Sequence, residues 1–153
     1  MLIALFTALL LVPPVAPCSW FRPPVEGRPV AGFAPQGRYE GHWGVDWEVP
    51  VGTLIRAVAP GTVTFSGVVV GNRTVTIHHG GGLRTSYSYL STILVSPGEL
   101  VARGRAVGRS GLERGEPRAH LSLRIGAQYL DPLLLLGCRD RSPMAALRLR
   151  SVR

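Results

Sequence analysis

A histidine and an aspartate four residues apart, His42 and Asp46, form the pair in this chain best suited to hold a metal ion. An imidazole nitrogen and a carboxylate oxygen are both good ligands for Zn²⁺. Gly44 lies between them, and a glycine lets the backbone turn so that both side chains can face one point. The sequence therefore predicts half of a zinc site here. The alternative is an exposed histidine beside a turn aspartate.

The other three histidines are His78, His79 and His120. His120 begins an alternating segment, residues 120–125, whose polar face also carries Ser122 and whose other face is apolar, which is typical of a half-buried strand. His78 and His79 are adjacent on a predicted strand and should point to opposite faces. Either of them, or Glu48 beside the first motif, is a candidate third metal ligand, although a hydrogen-bonded histidine at a strand end is the simpler interpretation.

Short strands separated by turns must position these side chains. The chain holds 19 glycines and 13 prolines, a composition that favours strands and turns over long helices. Within residues 62–66, Val63 and Phe65 are expected on one face of a strand. We predict an all-β fold, an antiparallel sandwich or open barrel. The predicted strands cover residues 53–58, 62–66, 68–70, 74–78, 83–90, 100–101, 104–108 and 120–125.

The charge of the chain is strongly positive. At 153 residues it is expected to be one domain, and its formal charge of +8 comes from arginine without lysine. This charge favours either solubility or attraction to a polyanion such as a cell-wall phosphate polymer. Nucleic acid is not an expected partner, because the sequence contains no nucleic-acid-binding module.

The ends of the chain predict export. Residues 1–17 contain an apolar run that is too short to span a bilayer and resembles a signal peptide. Residues 18–36 form a Pro/Gly-rich linker or arm, 37–137 the domain, and 138–153 a basic tail. Cys18 and Cys138 lie just outside the domain ends, and two cysteines in an exported protein are expected to pair. The alternative for Cys18 is removal with the signal or a lipid anchor.

Several motifs, taken together, resemble one known family. His42-Trp43-Gly44-Val45-Asp46 is followed by glycine-containing strand motifs, and the series ends with His120-Leu121-Ser122-Leu123 and Asp131-Pro132. In this order they are similar to the lysostaphin/LytM-type zinc endopeptidases, which cut peptide cross-bridges of bacterial peptidoglycan. The intervening motifs are at residues 51–57, 60–63, 79–83, 87–91 and 97–108. The resemblance implies an antiparallel fold of the LytM type, built on a duplicated hybrid motif, over residues 39–136.

The resemblance also assigns roles to individual positions. It implies zinc ligands at His42, Asp46 and the position of Ser122, and catalytic groups at His120 and Tyr89. Active members of the family have histidine where this chain has Ser122 and Tyr89. A serine hydroxyl is a poor zinc ligand, and a phenol with a pKa near 10 is a poor base at neutral pH, although it can donate a hydrogen bond to an oxyanion.

Two functions follow from the resemblance. We expect a secreted or cell-wall-associated bacterial protein, monomeric, with zinc bound weakly or not at all. It would act as a catalytically impaired binding or regulatory module for peptidoglycan peptides or for another cell-wall hydrolase. The alternative is an active zinc endopeptidase with His42, Asp46 and an unusual third ligand, His120 as the base, and a zinc-activated water as the nucleophile.

Overall fold

The structure, a computed structural model, describes residues 21–37 and 40–136. The predicted signal peptide, Cys18, Cys138 and the basic tail lie outside the described residues. In the described part no helix is long and apolar enough to cross a membrane. The strands are β1 (Ala34–Gln36), β2 (Glu40–His42), β3 (Val45–Trp47), β4 (Leu54–Arg56), β5 (Gly61–Val69), β6 (Asn72–His78), β7 (Leu83–Ile93), β8 (Leu100–Val101), β9 (Ala106–Glu113), β10 (Glu116–Ile125) and β11 (Gln128–Leu130). One helical turn, α1 (Leu133–Leu136), follows them.

Nine of these strands form one curled antiparallel sheet, and β1 and β2 form a separate hairpin-like pair. The predicted all-β antiparallel fold is therefore confirmed. β10 is the strand that organises the site, because it pairs with β7 along one edge and with β3 and then β11 along the other. Each of these pairings is antiparallel, so residues opposite one another share a face of the sheet.

One side of the sheet is packed with alternating apolar residues. Val75 and Ile77 of β6 are fully buried, as are Tyr87 of β7 and Leu121 of β10. Trp47 of β3 is 1% exposed and belongs to the same cluster. Because alternate residues of a strand face opposite sides, the polar residues between these positions are directed to the other face. That other face carries the candidate site.

A β-bulge changes one sequence-based expectation. Val63 of β5 pairs with Ile77, but Phe65 pairs with Thr76, so Thr64 is an extra residue between the two pairs. The extra residue reverses the alternation, because a one-residue shift turns each following side chain to the opposite face. Val63 is buried in the core, whereas Phe65 is 37% exposed. The expectation that these two residues share a face is wrong for this reason.

Residues 21–37 lie against the sheet by backbone hydrogen bonds. The amide of Arg22 donates to Val58 O, and the amide of Arg56 donates to Pro24 O, both at 2.9 Å. Further along, Ala31 forms an isolated antiparallel bridge with Asp46 of β3. This segment therefore reaches the strand that carries the predicted metal-binding aspartate.

Candidate functional site

The register between β3 and β10 places the two central residues of the site opposite each other. Asp46 pairs with His120, and the Nδ1–H of His120 donates a hydrogen bond to Oδ1 of Asp46 at 2.7 Å. Asp46 is 5% exposed, so its charge is largely removed from water. These two residues are 74 positions apart, and the strand pairing alone brings them into contact.

His42 completes a second contact with the same carboxylate. Its Nδ1 lies 2.6 Å from the carbonyl oxygen of Gly32, which can only accept, so Nδ1 carries the proton. In the neutral imidazole, Nε2 then holds a lone pair. Nε2 lies 3.1 Å from Oδ2 of Asp46, yet it has no hydrogen-bond partner and is buried. Nε2 of His42 and Oδ2 of Asp46 are thus two electron-rich atoms that lie close together without a proton between them. We interpret this as an arrangement that a cation between the two atoms would stabilise.

The three side chains form the single cluster of metal-ligating groups among the residues that the structure describes. One ligand atom each from His42, Asp46 and His120 lies within 4.8 Å of the others. Two imidazoles and a carboxylate are the donors of a typical three-ligand zinc site. Burial acts to raise the pKa of Asp46, but the hydrogen bond from His120 and the charge of His120, together with the proximity of His42, outweigh it and hold that pKa below its usual value. The carboxylate is therefore ionised and available to a cation.

Gly44 makes room for this cluster. A Cβ at this position would lie 2.5 Å from Cε1 and Nε2 of His120 and from the carbonyl oxygen of Leu121. The sequence suggested that Gly44 is needed because the backbone turns there. A turn does not explain the glycine, because the φ of Gly44 lies outside the left-handed region. It is needed because the imidazole of His120 lies directly over its backbone.

Tyr89 borders the cluster. Its ring contacts that of His120 edge to face, with centroids 5.7 Å apart. Its backbone φ is +60°, a left-handed conformation uncommon for a bulky residue, and it lies at the register shift between β6 and β7. Burial, a hydrogen bond with Glu113 and the charges of Glu113 and Asp46 together raise its pKa to about 12. Tyr89 therefore stays protonated at neutral pH and is a hydrogen-bond donor rather than a base.

Ser122 lies two residues beyond His120 on the same face of β10. It is 9% exposed and pairs in register with Ser86 of β7. Alternate residues along a strand are about 7 Å apart, so its short hydroxyl is one residue row away from the His120 side chain. The structure thus places it on the site face, one residue row from His120 and outside the cluster.

The other candidate ligands lie elsewhere. His79 is held in the interior: its Nδ1 bonds Pro60 O and its Nε2 bonds Thr85 Oγ1, each at 2.7 Å. Thr85 in turn contacts the hydroxyl of Tyr87 at 3.2 Å. Glu48 is exposed and lies 3.7 Å from Arg118. Neither His79, Glu48 nor His78 belongs to the metal-ligating cluster of the described residues.

Aromatic side chains divide between core and site. Trp47 and Tyr87 are buried in the core. Trp43 and Tyr129 contact each other edge to face at 5.5 Å, and Phe33 contacts Trp43 at 6.3 Å. These three form an aromatic wall that begins immediately after His42.

Two contributors were not identified from the sequence. The carbonyl of Gly32 fixes the tautomer of His42, and Glu113 bonds the hydroxyl of Tyr89. A backbone carbonyl in a Pro/Gly-rich segment has no side-chain signal, and Glu113 lies in a hairpin whose position depends on the fold. The sequence offered no pattern by which to find either.

A curled antiparallel sheet that carries an imidazole–carboxylate–imidazole cluster defines this protein as an all-β domain with a candidate metal site. Residues 40–132, more than half of the chain, match the model of peptidase family M23. The chain therefore belongs to the M23 peptidase family, and its predicted resemblance to lysostaphin/LytM-type proteins is confirmed.

A curated relative supports the same assignment, and solved structures support the fold. The chain is 36% identical over 97 residues to the DD-carboxypeptidase/endopeptidase Mpg of Neisseria meningitidis, covering 60% of this chain and 22% of that protein. It resembles the crystal structure of Helicobacter pylori Csd3 with a TM-score of 0.70 and 29% identity, over 80% of this chain and 34% of that one. The catalytic domain of lysostaphin from Staphylococcus simulans gives a TM-score of 0.64 at 23% identity, over 72% and 92%. The chain spans about a fifth of the length of the first curated relatives it matches.

Proposed function

We propose that this M23 domain binds peptidoglycan peptides and that its catalytic site is impaired. The observation that carries the proposal is that one imidazole, His120, is available for two tasks. If His120 serves as the third metal ligand with His42 and Asp46, no histidine remains as a base among the described residues around the cluster. If His120 is the base, only two protein ligands remain, and two are too few to hold zinc firmly.

Tyr89 does not repair this deficit. It occupies the position where the family has a second catalytic histidine, but its pKa of about 12 keeps it protonated at neutral pH. A protonated phenol can donate a hydrogen bond to a developing oxyanion, so Tyr89 is suited to orient a carbonyl group of a bound peptide. It is not suited to accept a proton from water.

The residues present supply donors that fit zinc, and the existing bond between His120 and Asp46 is the feature that would weaken its binding. The buried, unpartnered Nε2 of His42, the ionised Asp46 and the imidazole of His120 are the donors that would hold it. Zinc, when bound, would polarise a peptide carbonyl and activate water. His120 also bonds Asp46 directly, and a metal would compete with that bond.

Peptidoglycan is the proposed binding partner because the chain belongs to the M23 peptidases, a family that acts on it. The relative Mpg is named as a DD-carboxypeptidase/endopeptidase. We extend the substrate class, not the activity, to this chain. We also propose that the protein is secreted or wall-associated and that it regulates another cell-wall hydrolase. A disulfide between Cys18 and Cys138 is part of the same proposal.

A second candidate, an active zinc endopeptidase that cleaves peptidoglycan cross-bridges, is favoured by one observation. The His42, Asp46 and His120 ligand atoms converge within 4.8 Å without any third ligand from elsewhere. In this case water and substrate would meet at the same cluster, with Tyr89 as the donor to the oxyanion.

Metal content and peptidoglycan hydrolysis separate the two candidates. Zinc is measured by mass spectrometry after dialysis against a chelator, and hydrolysis by clearing of purified peptidoglycan. We expect the wild type to lose zinc and to bind peptidoglycan without clearing it. Ser122→His should increase zinc retention strongly, and Ser122→His with Tyr89→His should produce clearing, because they add the missing imidazoles.

Ser86→His is the matched control. Ser86 faces Ser122 across the β7–β10 pair, so the variant adds an imidazole to the same face at a position outside the resembling motifs' ligand set. It should leave zinc retention near the wild-type level. One tightly held zinc per wild-type chain together with peptidoglycan clearing would refute the impaired-site proposal and support the endopeptidase.

A further inference from the structure

Two arginines lie on the same face of the sheet as the metal-ligating cluster. Arg124 of β10 pairs directly with Arg84 of β7, and Arg84 also pairs with His78 of β6. Arg124 lies four residues beyond His120 on one strand, so both side chains are on the same face. The residues between them, Leu121 and Leu123, are buried on the opposite side. We call Arg84 and Arg124 the arginine pair.

The arginine pair has no anionic partner within the described residues. In the part of the chain that the structure describes, no ion pair includes Arg84 or Arg124. The Nε atom of each guanidinium is buried and has no hydrogen-bond partner. Like charges directly opposite on neighbouring strands repel, and a buried donor without an acceptor is costly. An anion bound by the two guanidiniums would relieve the repulsion, and it would supply an acceptor to each Nε–H once the side chains rotate to meet it.

A polar track connects the arginine pair to the metal-ligating cluster. Four residues of strand separate Arg124 from His120, which is about 13 Å at ~3.3 Å per residue. Between them lie the hydroxyls of Ser122 and Ser86, and Ser86 bonds Thr76 at 2.8 Å. Because these side chains are short, they project little from the sheet along this track.

The aromatic wall runs beside this track. Tyr129 of β11 pairs with Arg124, and its ring contacts Trp43, the residue after His42. One aromatic pair thus links the arginine pair to the cluster. An extended peptide laid along β10 would contact the wall, cross the hydroxyl-bearing residues and reach the guanidiniums.

We propose that the arginine pair is a carboxylate-binding subsite for the peptide that the cluster engages. The carboxylate, at the peptide terminus or on an acidic side chain, would lie about 13 Å from the bond held at His42, Asp46 and His120, by the same strand spacing. Guanidinium groups bind carboxylates through two parallel charge-assisted hydrogen bonds, and Nε–H is one of the donors they use. The proposal rests on the proposed peptide-binding function and adds the chemical group that the peptide must carry.

The test observes the arginine Nε–H groups directly by NMR in metal-free protein. The probe is acetyl-tetraalanine with a free terminal carboxylate, compared with the same peptide as its terminal amide and with inorganic phosphate. Arg84→Gln and Arg124→Gln assign the two Nε–H signals and remove one member of the pair each. Arg73→Gln is the control, because Arg73 is exposed at the opposite end of β6 from His78 and its loss changes the net charge equally.

We expect the free acid to shift both Nε–H signals with an apparent Kd about tenfold or more below that of the amide. Either Gln variant should remove this preference, and Arg73→Gln should retain it. Equal responses to acid and amide, no response of either Nε–H, or a response to phosphate without one to the peptide acid would each overturn the proposal. Because no zinc and no hydrolysis are involved, failure here is distinct from failure of the impaired-site proposal.

Discussion

Asp46 receives an imidazole on each of its two carboxylate oxygens, and the closer is His120, whose Nδ1 lies 2.7 Å from Oδ1 across the β3–β10 pair. His42 reaches the other oxygen at 3.1 Å. One carboxylate therefore lies between both imidazoles of the site: it orients His120 by a hydrogen bond and faces the unpartnered Nε2 of His42. Its negative charge is the single feature on which cation binding and the orientation of His120 both depend.

Asp46→Asn should abolish what zinc affinity the protein has. The amide has the same shape but no charge, and it cannot serve as an anionic ligand. We expect the Kd for zinc, measured by competition with a chromophoric chelator, to rise by more than the ~10- to 100-fold that loss of a partner supporting a ligand costs, because Asp46 is itself one of the three metal-ligating groups.

Glu48→Gln is the control for Asp46→Asn. Glu48 is two residues further along, exposed and outside the cluster, and its change removes the same charge. Unchanged zinc affinity in Asp46→Asn, or an equal loss in both variants, would mean that the carboxylate of Asp46 does not hold the metal.

Gly44→Ala should displace His120. The added methyl group would lie 2.5 Å from the imidazole and from the backbone oxygen of Leu121, and the backbone cannot move aside as a side chain can. We expect a loss of about 1–3 kcal/mol in the free energy of unfolding in urea, as for overpacking elsewhere. The His120 imidazole signals should also shift in NMR spectra.

Gly32→Ala is the comparison for this variant. It has open space around its Cβ and keeps the carbonyl that bonds His42. It should leave both measurements near the wild-type values. A Gly44→Ala protein as stable as Gly32→Ala, with unshifted His120 signals, would contradict the packing argument.

His79 should make stability depend on pH on the acidic side of neutrality. Burial lowers the pKa of His79 below its ordinary value of 6.5, and the charge of His78 lowers it further, although the hydrogen bond to Pro60 acts in the opposite direction. Protonation therefore favours the unfolded chain. The stability that neutral, buried His79 contributes is complete above pH 6.5. This stability is lost as the pH falls from 6.5 through the lowered pKa of His79 in the folded state.

The variant His79→Gln isolates this effect. Free energies of unfolding in urea, measured between pH 7.5 and about pH 5, should fall less steeply for His79→Gln than for the wild type. Asp46 has a pKa lowered from 3.8, so its own contribution is lost only at lower pH. Identical slopes for the two proteins would show that His79 is not buried in its neutral form.

Tyr87→Phe should destabilise the fold without affecting the site. The Tyr87 hydroxyl accepts a hydrogen bond from the buried amide of Val58 at 2.9 Å, and its removal leaves that donor without a partner. We expect a loss of about 1–3 kcal/mol in the free energy of unfolding in urea.

Tyr89→Phe serves as the contrast, because Tyr89 is only half-buried and its hydroxyl faces Glu113. It should cost less stability than Tyr87→Phe. The reverse order would indicate that the hydrogen bond to Val58 is replaced by another in the variant.

The sequence by itself determined the fold class and which side chains of β10 face the core and which face the site. Alternation in residues 120–125 separates Leu121 and Leu123 from His120 and Ser122, and the structure buries the two leucines. Such periodicity is local, because the pleat of a strand sends successive side chains to opposite sides whatever the strand pairs with. Motif order over 40–132 was sufficient to identify the family.

Only the tertiary structure decided which groups meet. The register that sets Asp46 against His120, the arm that brings Gly32 to His42, and the bulge that turns Phe65 outward each depend on pairings between distant segments. The opposition of Arg84 and Arg124 has the same origin. A sequence pattern reports the face of a strand, but it carries no information on its partner or register, which are set by packing of the whole sheet.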